Sequence, residues 1–342
     1  MIRDLWLMLR PAQWAKNVFV LAGLLFGAKL SDPHALWLGG WAFISFCLVA
    51  SSVYIVNDIT DREQDRLHPI KRERPLARGA VSLATAWLLS LTLLFLGGVV
   101  SVALLPRGFW LVLGSYWVLI LAYSLALKKR VILDVIVISM GFVLRALGGV
   151  VAVDVALSPW LIVCTFTLCL FLGFGKRRCE LAVMGGVEEA IRHRPTLGRY
   201  TPVLLNHLIS ITAGLAVITF LLYTMEETKP APPFPKELLL YTIPLVIYGV
   251  FRYAMLIEGG AVTGPTDIII GDRPFLATLV AWALLAGLIV YKGNEIKDFF
   301  ERERVVALQK DVAARSPVMP APDQTGAQNV PPSVSTVGPA GL

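Results

Sequence analysis

Nine long runs of mostly apolar residues, parted by short polar stretches, constrain this chain more than any other feature. They cover approximately 17–30, 35–56, 81–105, 108–127, 131–153, 158–175, 202–225, 237–257 and 275–292, the first being short unless residues 12–16 extend it. Roughly 17 to 25 such residues carry a helix across a bilayer, and in lipid only helices or closed barrels satisfy their own backbone. The runs are continuous rather than alternating, which excludes a barrel. With 56% hydrophobic and 16% charged residues, the chain also lacks the means to build a water-facing surface. The expectation is an all-α integral membrane protein with nine transmembrane helices. A disulfide scaffold, a disordered chain and a nucleic-acid-binding module are excluded, despite a net charge of +7.

The distribution of that charge sets an expected orientation. Lys and Arg are scarce in the connections after runs one (Lys29), three (Arg107), five (none) and seven (Lys229, Lys236). They crowd the alternate ones, with Arg62, Arg66, Lys71, Arg72, Arg74 and Arg78, then Lys128, Lys129 and Arg130, then Lys176, Arg177, Arg178, Arg192, Arg194 and Arg199. Positive loops stay cytoplasmic, so these connections and the N-terminus, with Arg3, Arg10 and Lys16, are placed inside a bacterial inner membrane. Asp4 and the early cations do not suit a signal peptide, and the first run is expected to be retained. Cys47, Cys164, Cys169 and Cys179 form no CxxC pair and read as reduced thiols. The expected organisation is a membrane domain over 1–295, a short charged surface helix over 296–315, and a disordered Pro-, Gly- and Ser-rich tail over 316–342. Nine crossings put the charged segment after residue 295 outside, where the rule is weakest.

The first polar connection begins Asn57-Asp58-Ile59-Thr60-Asp61-Arg62-Glu63-Gln64-Asp65. On a helix, carboxylates at i, i+3 and i+7 fall within about 60° of one another. Such a stripe repels itself unless a cation sits in it, and hard oxygen donors with room for phosphate suit magnesium. Asp58, Asp61 and Asp65 are the metal and catalytic candidates; the competing reading is an acidic loop paired in solvent with Arg62 and Arg66.

This NDxxDxxxD, with HPIKRERPLARG after it, resembles the first signature of the UbiA superfamily of intramembrane prenyltransferases. The resemblance implies a nine-span helical fold around a central cavity, in which magnesium holds a diphosphate. Members commonly carry a second acidic motif after the sixth span, where this chain has Gly175-Lys176-Arg177-Arg178-Cys179-Glu180-Leu181. That stretch, and Arg10-Pro11-x-Gln13-Trp14-x-Lys16-Asn17, is similar to the decaprenyl-phosphate phosphoribosyltransferase branch, up to about residue 295. The resemblance implies transfer of 5-phosphoribose from phosphoribosyl diphosphate to a polyprenyl phosphate, as a step toward a lipid-linked arabinose donor for the cell envelope. An aromatic prenyltransferase of quinone or haem biosynthesis and a non-enzymatic transporter remain the alternatives, and a homo-oligomer stays open.

Substrate-binding candidates follow. Asn57, Lys16, Lys71 and Arg72 belong to the quoted motifs. Lys176, Arg177 and Glu180 stand in place of the second acidic pair. Asp134 and Arg145 are costly ions within the fifth run, eleven residues apart and so on nearly one face. Tyr123 and Lys128 lie about 140° apart on an ideal helix and share a site only if the helix ends between them. Arg252, Asp267, Asp272 and Arg273 flank a further connection.

Overall fold

The computed structural model describes residues 2–67, 71–156, 158–183, 197–227, 233–259 and 271–315, and all its regular structure is helical. Arg192, Arg194, Asp267 and the tail from Ser316 lie outside the described residues. Two units are distinguished, Met1–Ile296 and Lys297–Leu342. The α-helices are α1 Ile2–Leu9, α2 Ala22–Phe26, α3 Pro33–Thr60, α4 Arg62–Leu67, α5 Leu83–Leu104, α6 Arg107–Leu125, α7 Leu133–Ala152, α8 Pro159–Val183, α9 Pro202–Met225, α10 Ile243–Glu258 and α11 Arg273–Arg315.

Eight helical segments among the described residues are long and apolar enough to cross a membrane: α3, α5, α6, α7, α8, α9, α10 with the 3₁₀ turn Lys236–Thr242 before it, and α11. The expected first span is not among them. Its residues form a 3₁₀ helix, Pro11–Leu21, that runs into the five-residue α2. A 3₁₀ coil rises about 2.0 Å per residue against 1.5 Å in an α-helix, so sixteen residues reach about 30 Å, the thickness of the hydrocarbon core.

This segment runs antiparallel to α3. Arg10 donates to Asp58, Trp14 Nε1 to Ser51 Oγ at 3.0 Å, and Asn17 Nδ2 to Cys47 Sγ at 3.1 Å, while Leu24 packs on Gly39. Partner numbers fall as the segment's own numbers rise, so it travels from the acidic end of α3 back toward its start. There Asp32 accepts from the backbone N–H groups of His34 and Ala35 and caps α3, with Pro33 at its first position. The segment also presses on α7. A Cβ on Gly149 would lie 1.7 Å from the Val20 carbonyl oxygen, so only glycine admits this approach.

Neighbours in sequence are neighbours in space: α3 packs on α5 and α6, α6 on α7, α7 on α8, and α8 on α9. Phe46, Phe109 and Tyr116 form one buried aromatic core between α3, α6 and α7. Phe171, Tyr200, Leu205 and Tyr253 belong to another, between α8, α9 and α10. The first segment closes the circuit, with Phe26 edge-on to Tyr223 and the Leu30 N–H donating to Tyr291 Oη at 3.2 Å. The end of this circuit opposite Lys29 carries the acidic motif.

Candidate active site

α3 ends one residue before Asp61, and α4 begins one residue after it. The helical path persists across the break, since the Asp61 N–H donates to Asn57 O at 2.9 Å and the Asp65 N–H to Asp61 O at 2.8 Å. Its effect is to divide the carboxylate stripe. Asp58 and Asp65, each 4% exposed, share Arg74, whose Nη1 lies 3.0 Å from Asp58 Oδ1 and 2.6 Å from Asp65 Oδ2. Asp58 also accepts from Arg10, whose guanidinium lies over the Tyr54 ring. Asp61 turns elsewhere, accepting from Lys128 Nζ at 2.6 Å and Asn57 Nδ2 at 3.1 Å. Lys128 donates again to Asn57 Oδ1 at 3.0 Å.

Lys128 arrives because α6 stops at Leu125 and a 3₁₀ turn, Leu127–Lys129, follows. The helix thus ends between the half-buried Tyr123 and Lys128, the condition for their sharing a site. Lys71 is half-buried in the 3₁₀ turn Lys71–Glu73, whereas Arg72 is exposed and pairs with Glu73 at 3.6 Å. Arg74, in the same loop, reaches Asp58 and Asp65.

The basic side is built on α7 and α8. Arg177 is buried; it donates to Glu180 one turn on, and its Nε lies 3.8 Å from Asp134 Oδ2 without a hydrogen-bond partner among the described residues. Lys176 is nearly half exposed, 4.0 Å from Glu180. Asp134, fully buried, accepts from Tyr200 Oη at 2.8 Å.

Arg145 does not reach Asp134. Its Nε donates to Asn17 Oδ1 at 2.7 Å, Nη1 to the Gly141 carbonyl at 3.1 Å and Nη2 to Tyr116 Oη at 2.7 Å, and the guanidinium stacks over Tyr116 and Phe142. At 4% exposure it is a buried cation with neutral partners. Lys16 has Lys176, Arg145 and Arg10 as its electrostatic neighbours. Lys16 is thus the common neighbour of cations from the first segment, α7 and α8.

The magnesium implied by the acidic motif can be tested against these residues. No three His, Cys, Asp or Glu side chains surround a common point among the described residues. The donor chemistry nevertheless fits a hard divalent ion. Arg74 Nη1 bridges the two buried carboxylates, so Asp58 and Asp65 would be free to hold such an ion only once that guanidinium withdrew.

Arg10, Asn17, Arg74, Tyr116 and Tyr200 were not among the sequence candidates. Arg10 and Asn17 sit inside the quoted RPxQWxKN, a stretch that the resemblance had singled out without assigning these two a role. Arg74 was one basic loop residue of several, and nothing in the sequence marked Tyr116 or Tyr200.

The UbiA prenyltransferase family model matches residues 17–258. A decaprenyl-phosphate phosphoribosyltransferase from Mycolicibacterium smegmatis is 32% identical over 297 residues, covering 82% of this chain and 91% of that protein. A protein of the same name from Corynebacterium glutamicum is 31% identical over 290 residues, covering 83% and 85%. In three dimensions the chain resembles a UbiA homolog from Archaeoglobus fulgidus, solved bound to GPP and Mg2+. The TM-score is 0.63 at 20% identity, covering 86% of this chain and 99% of that one. At that identity the likeness is one of fold.

Proposed function

The chain belongs to the UbiA prenyltransferase family, and on that premise we propose that it transfers 5-phosphoribose from phosphoribosyl diphosphate to a polyprenyl phosphate at the cytoplasmic face of the membrane. The observation that carries this reading is that Lys16 has Lys176, Arg145 and Arg10 as its electrostatic neighbours, Arg10 being the one that also meets Asp58. Neither Lys16 nor Arg145 contacts a carboxylate among the described residues, and an intramembrane guanidinium is costly without an anion to meet. A prenyl diphosphate and a neutral aromatic acceptor bring one anionic group to the site. The sugar donor brings a diphosphate and a 5-phosphate, and the acceptor lipid adds another phosphate, which matches the surplus of cations. The names of the relatives support the same choice.

Asp58 and Asp65, with Asp61 and Asn57 beside them, would hold magnesium, which when bound neutralises the diphosphate leaving group. The chain's own residues do the rest by position. Arg177 and Lys176 bind donor phosphate, and Arg145 and Lys16 bind the anion nearest the membrane interior. The lipid phosphate oxygen attacks the anomeric carbon as its bond to the diphosphate oxygen breaks, the electron pair leaving with diphosphate, and the configuration inverts. A phosphate monoester is already ionised near neutral pH, so no protein base is required. Catalysis rests on orientation and electrostatics. The polyprenyl tail leaves sideways into lipid, and the product is a lipid-linked pentose phosphate for cell-envelope synthesis.

The test is purified protein with magnesium, labelled phosphoribosyl diphosphate and polyprenyl phosphate. Label in the lipid fraction, lost with chelator, is expected. Turnover of a prenyl diphosphate with an aromatic acceptor instead would establish the conventional prenyltransferase.

A further inference from the structure

Tyr200 is the last residue before Thr201, which caps α9, and its N–H returns to Leu197 O at 3.1 Å in a 3₁₀ turn. It is 2% exposed, its ring packed among core residues of α8, α9 and α10. Its hydroxyl accepts from the Ile132 N–H at 2.7 Å and donates to Asp134 Oδ1 at 2.8 Å. Ile132 stands at φ 69, a conformation that β-branched residues rarely adopt and that persists only when neighbours fix it. Asp134 in turn faces Arg177 Nε through its other oxygen, and Arg177 donates to Glu180. On the far side of Ile132, the same short turn carries Lys128 to Asp61 and Asn57.

One hydroxyl therefore joins the turn that delivers Lys128 to the acidic cluster and the carboxylate that faces Arg177 in the basic one. We infer that Tyr200 is a positioning residue: it holds the turn at Ile132 and orients Asp134, and so fixes Arg177 relative to the carboxylates across which the donor's diphosphate binds. This rests on the proposed function for the identity of the donor. The link between the two clusters stands on the hydroxyl's two hydrogen bonds, whatever the donor.

The experiment is calorimetric binding of magnesium diphosphate to the purified full chain, beside donor KM and kcat. Tyr200→Phe keeps the ring in its core and deletes both hydrogen bonds. Expected is a loss of diphosphate affinity of about tenfold or more, the scale for a lost hydrogen bond to a charged group. Donor KM should rise to match, with kcat and lipid KM within about twofold and the melting midpoint little moved. In an Asp134→Asn background the same substitution should cost clearly less than it does in wild type, because one of its two contacts is already altered. Should Tyr200→Phe alone fail to fold, Tyr200→Phe with Ile132→Gly supplies the folded protein, since glycine takes φ 69 freely. Wild-type affinity in the variant overturns the assignment, as does an undiminished loss in the Asp134→Asn background. If wild type binds magnesium diphosphate but leaves polyprenyl phosphate unlabelled, the proposed reaction falls, and Tyr200 is judged on binding alone.

Discussion

Arg145 spends its guanidinium on three directed bonds to neutral acceptors, Asn17 Oδ1, Gly141 O and Tyr116 Oη. These aim the group without neutralising it. An ammonium cannot reproduce the fork, so Arg145→Lys and Arg145→Leu are both expected to lower kcat/KM by about 100-fold or more, or ~2.7 kcal/mol. Near wild-type turnover in Arg145→Leu would make the residue structural. Asn17 belongs to the same device, because it accepts from Arg145 and donates to Cys47. Arg74 makes the opposite case. It neutralises Asp58 and Asp65 directly, so a divalent ion held by those carboxylates would compete with it. Arg74→Gln should lower the half-saturating concentration of manganese, a spin-active substitute for magnesium, by about tenfold, read by paramagnetic resonance on protein without substrate. Unchanged or weaker manganese binding would show that Arg74 and the ion do not exclude each other. Asp134 and Arg145 were marked by their cost inside a membrane run, Asp58, Asp61 and Asp65 by their spacing, and Lys128 and Arg177 by the family resemblance. The partner of each was not, because spacing along one helix says nothing of what a second helix brings. Asp134 and Arg145 share α7, yet Asp134 meets Tyr200 and Arg177 whereas Arg145 meets Asn17 and Tyr116.

Elements in lipid obscure their own phase. A crossing that is apolar all round carries no hydrophobic periodicity, so residues 17–30 read as one α-helical run although the chain there forms a 3₁₀ helix, Pro11–Leu21, and the short α2. The break at Asp61 was hidden for a related reason. NDITDREQD suits a helix throughout, and the termination of α3 shows only in the partition of its carboxylates between Arg74 and Lys128. Gly148-Gly149 was visible as a sequence but mute as to what approaches it. Gly149→Ala sets a methyl against the Val20 carbonyl, a backbone atom that cannot rotate aside, and overpacking of this kind costs about 1–3 kcal/mol. A lower melting midpoint is expected, together with lost transfer, because the displaced segment carries Asn17 and Lys16; retained activity would show that the segment can shift without consequence. At the start of α11, Asp272 accepts from the Phe275 N–H at 2.8 Å and from Arg252 at 2.7 and 3.1 Å. The bond from Arg252 holds its carboxyl below the ordinary range. A depressed folded pKa stabilises above the unfolded value, near pH 4, and that stability is lost as pH falls through the folded value. Melting midpoints of Asp272→Asn should therefore fall below wild type at neutral pH and converge on it in acid. A gap that persists at low pH would contradict the linkage.

At the scale of the whole molecule, the alternation of basic and charge-poor connections was the most legible property of the chain, and it carries a consequence for the reaction. Arg10, Arg74, Lys128 and Arg177 come from the N-terminal segment, two different connections and α8, yet all belong to the end of the bundle that holds the acidic motif, as the contacts of Asp58, Asp61 and Asp134 establish. The opposite end offers Lys29 and the turn before α3. Positive connections are retained on the cytoplasmic side, and a soluble sugar diphosphate is available only there, so one orientation satisfies both insertion and substrate supply. The native cysteines give little background for testing it, since Cys47, Cys169 and Cys179 are buried and Cys164 is partly so. Single cysteines at the exposed positions Ser31, Ala80 and Lys129 sample the two ends. In intact cells an impermeant maleimide should label Ser31→Cys and leave Ala80→Cys and Lys129→Cys unmodified until the membrane is permeabilised. The reverse pattern would put the carboxylates and their cations outside, beyond reach of a cytoplasmic donor. The reaction proposed here would then be excluded however well the geometry suited it.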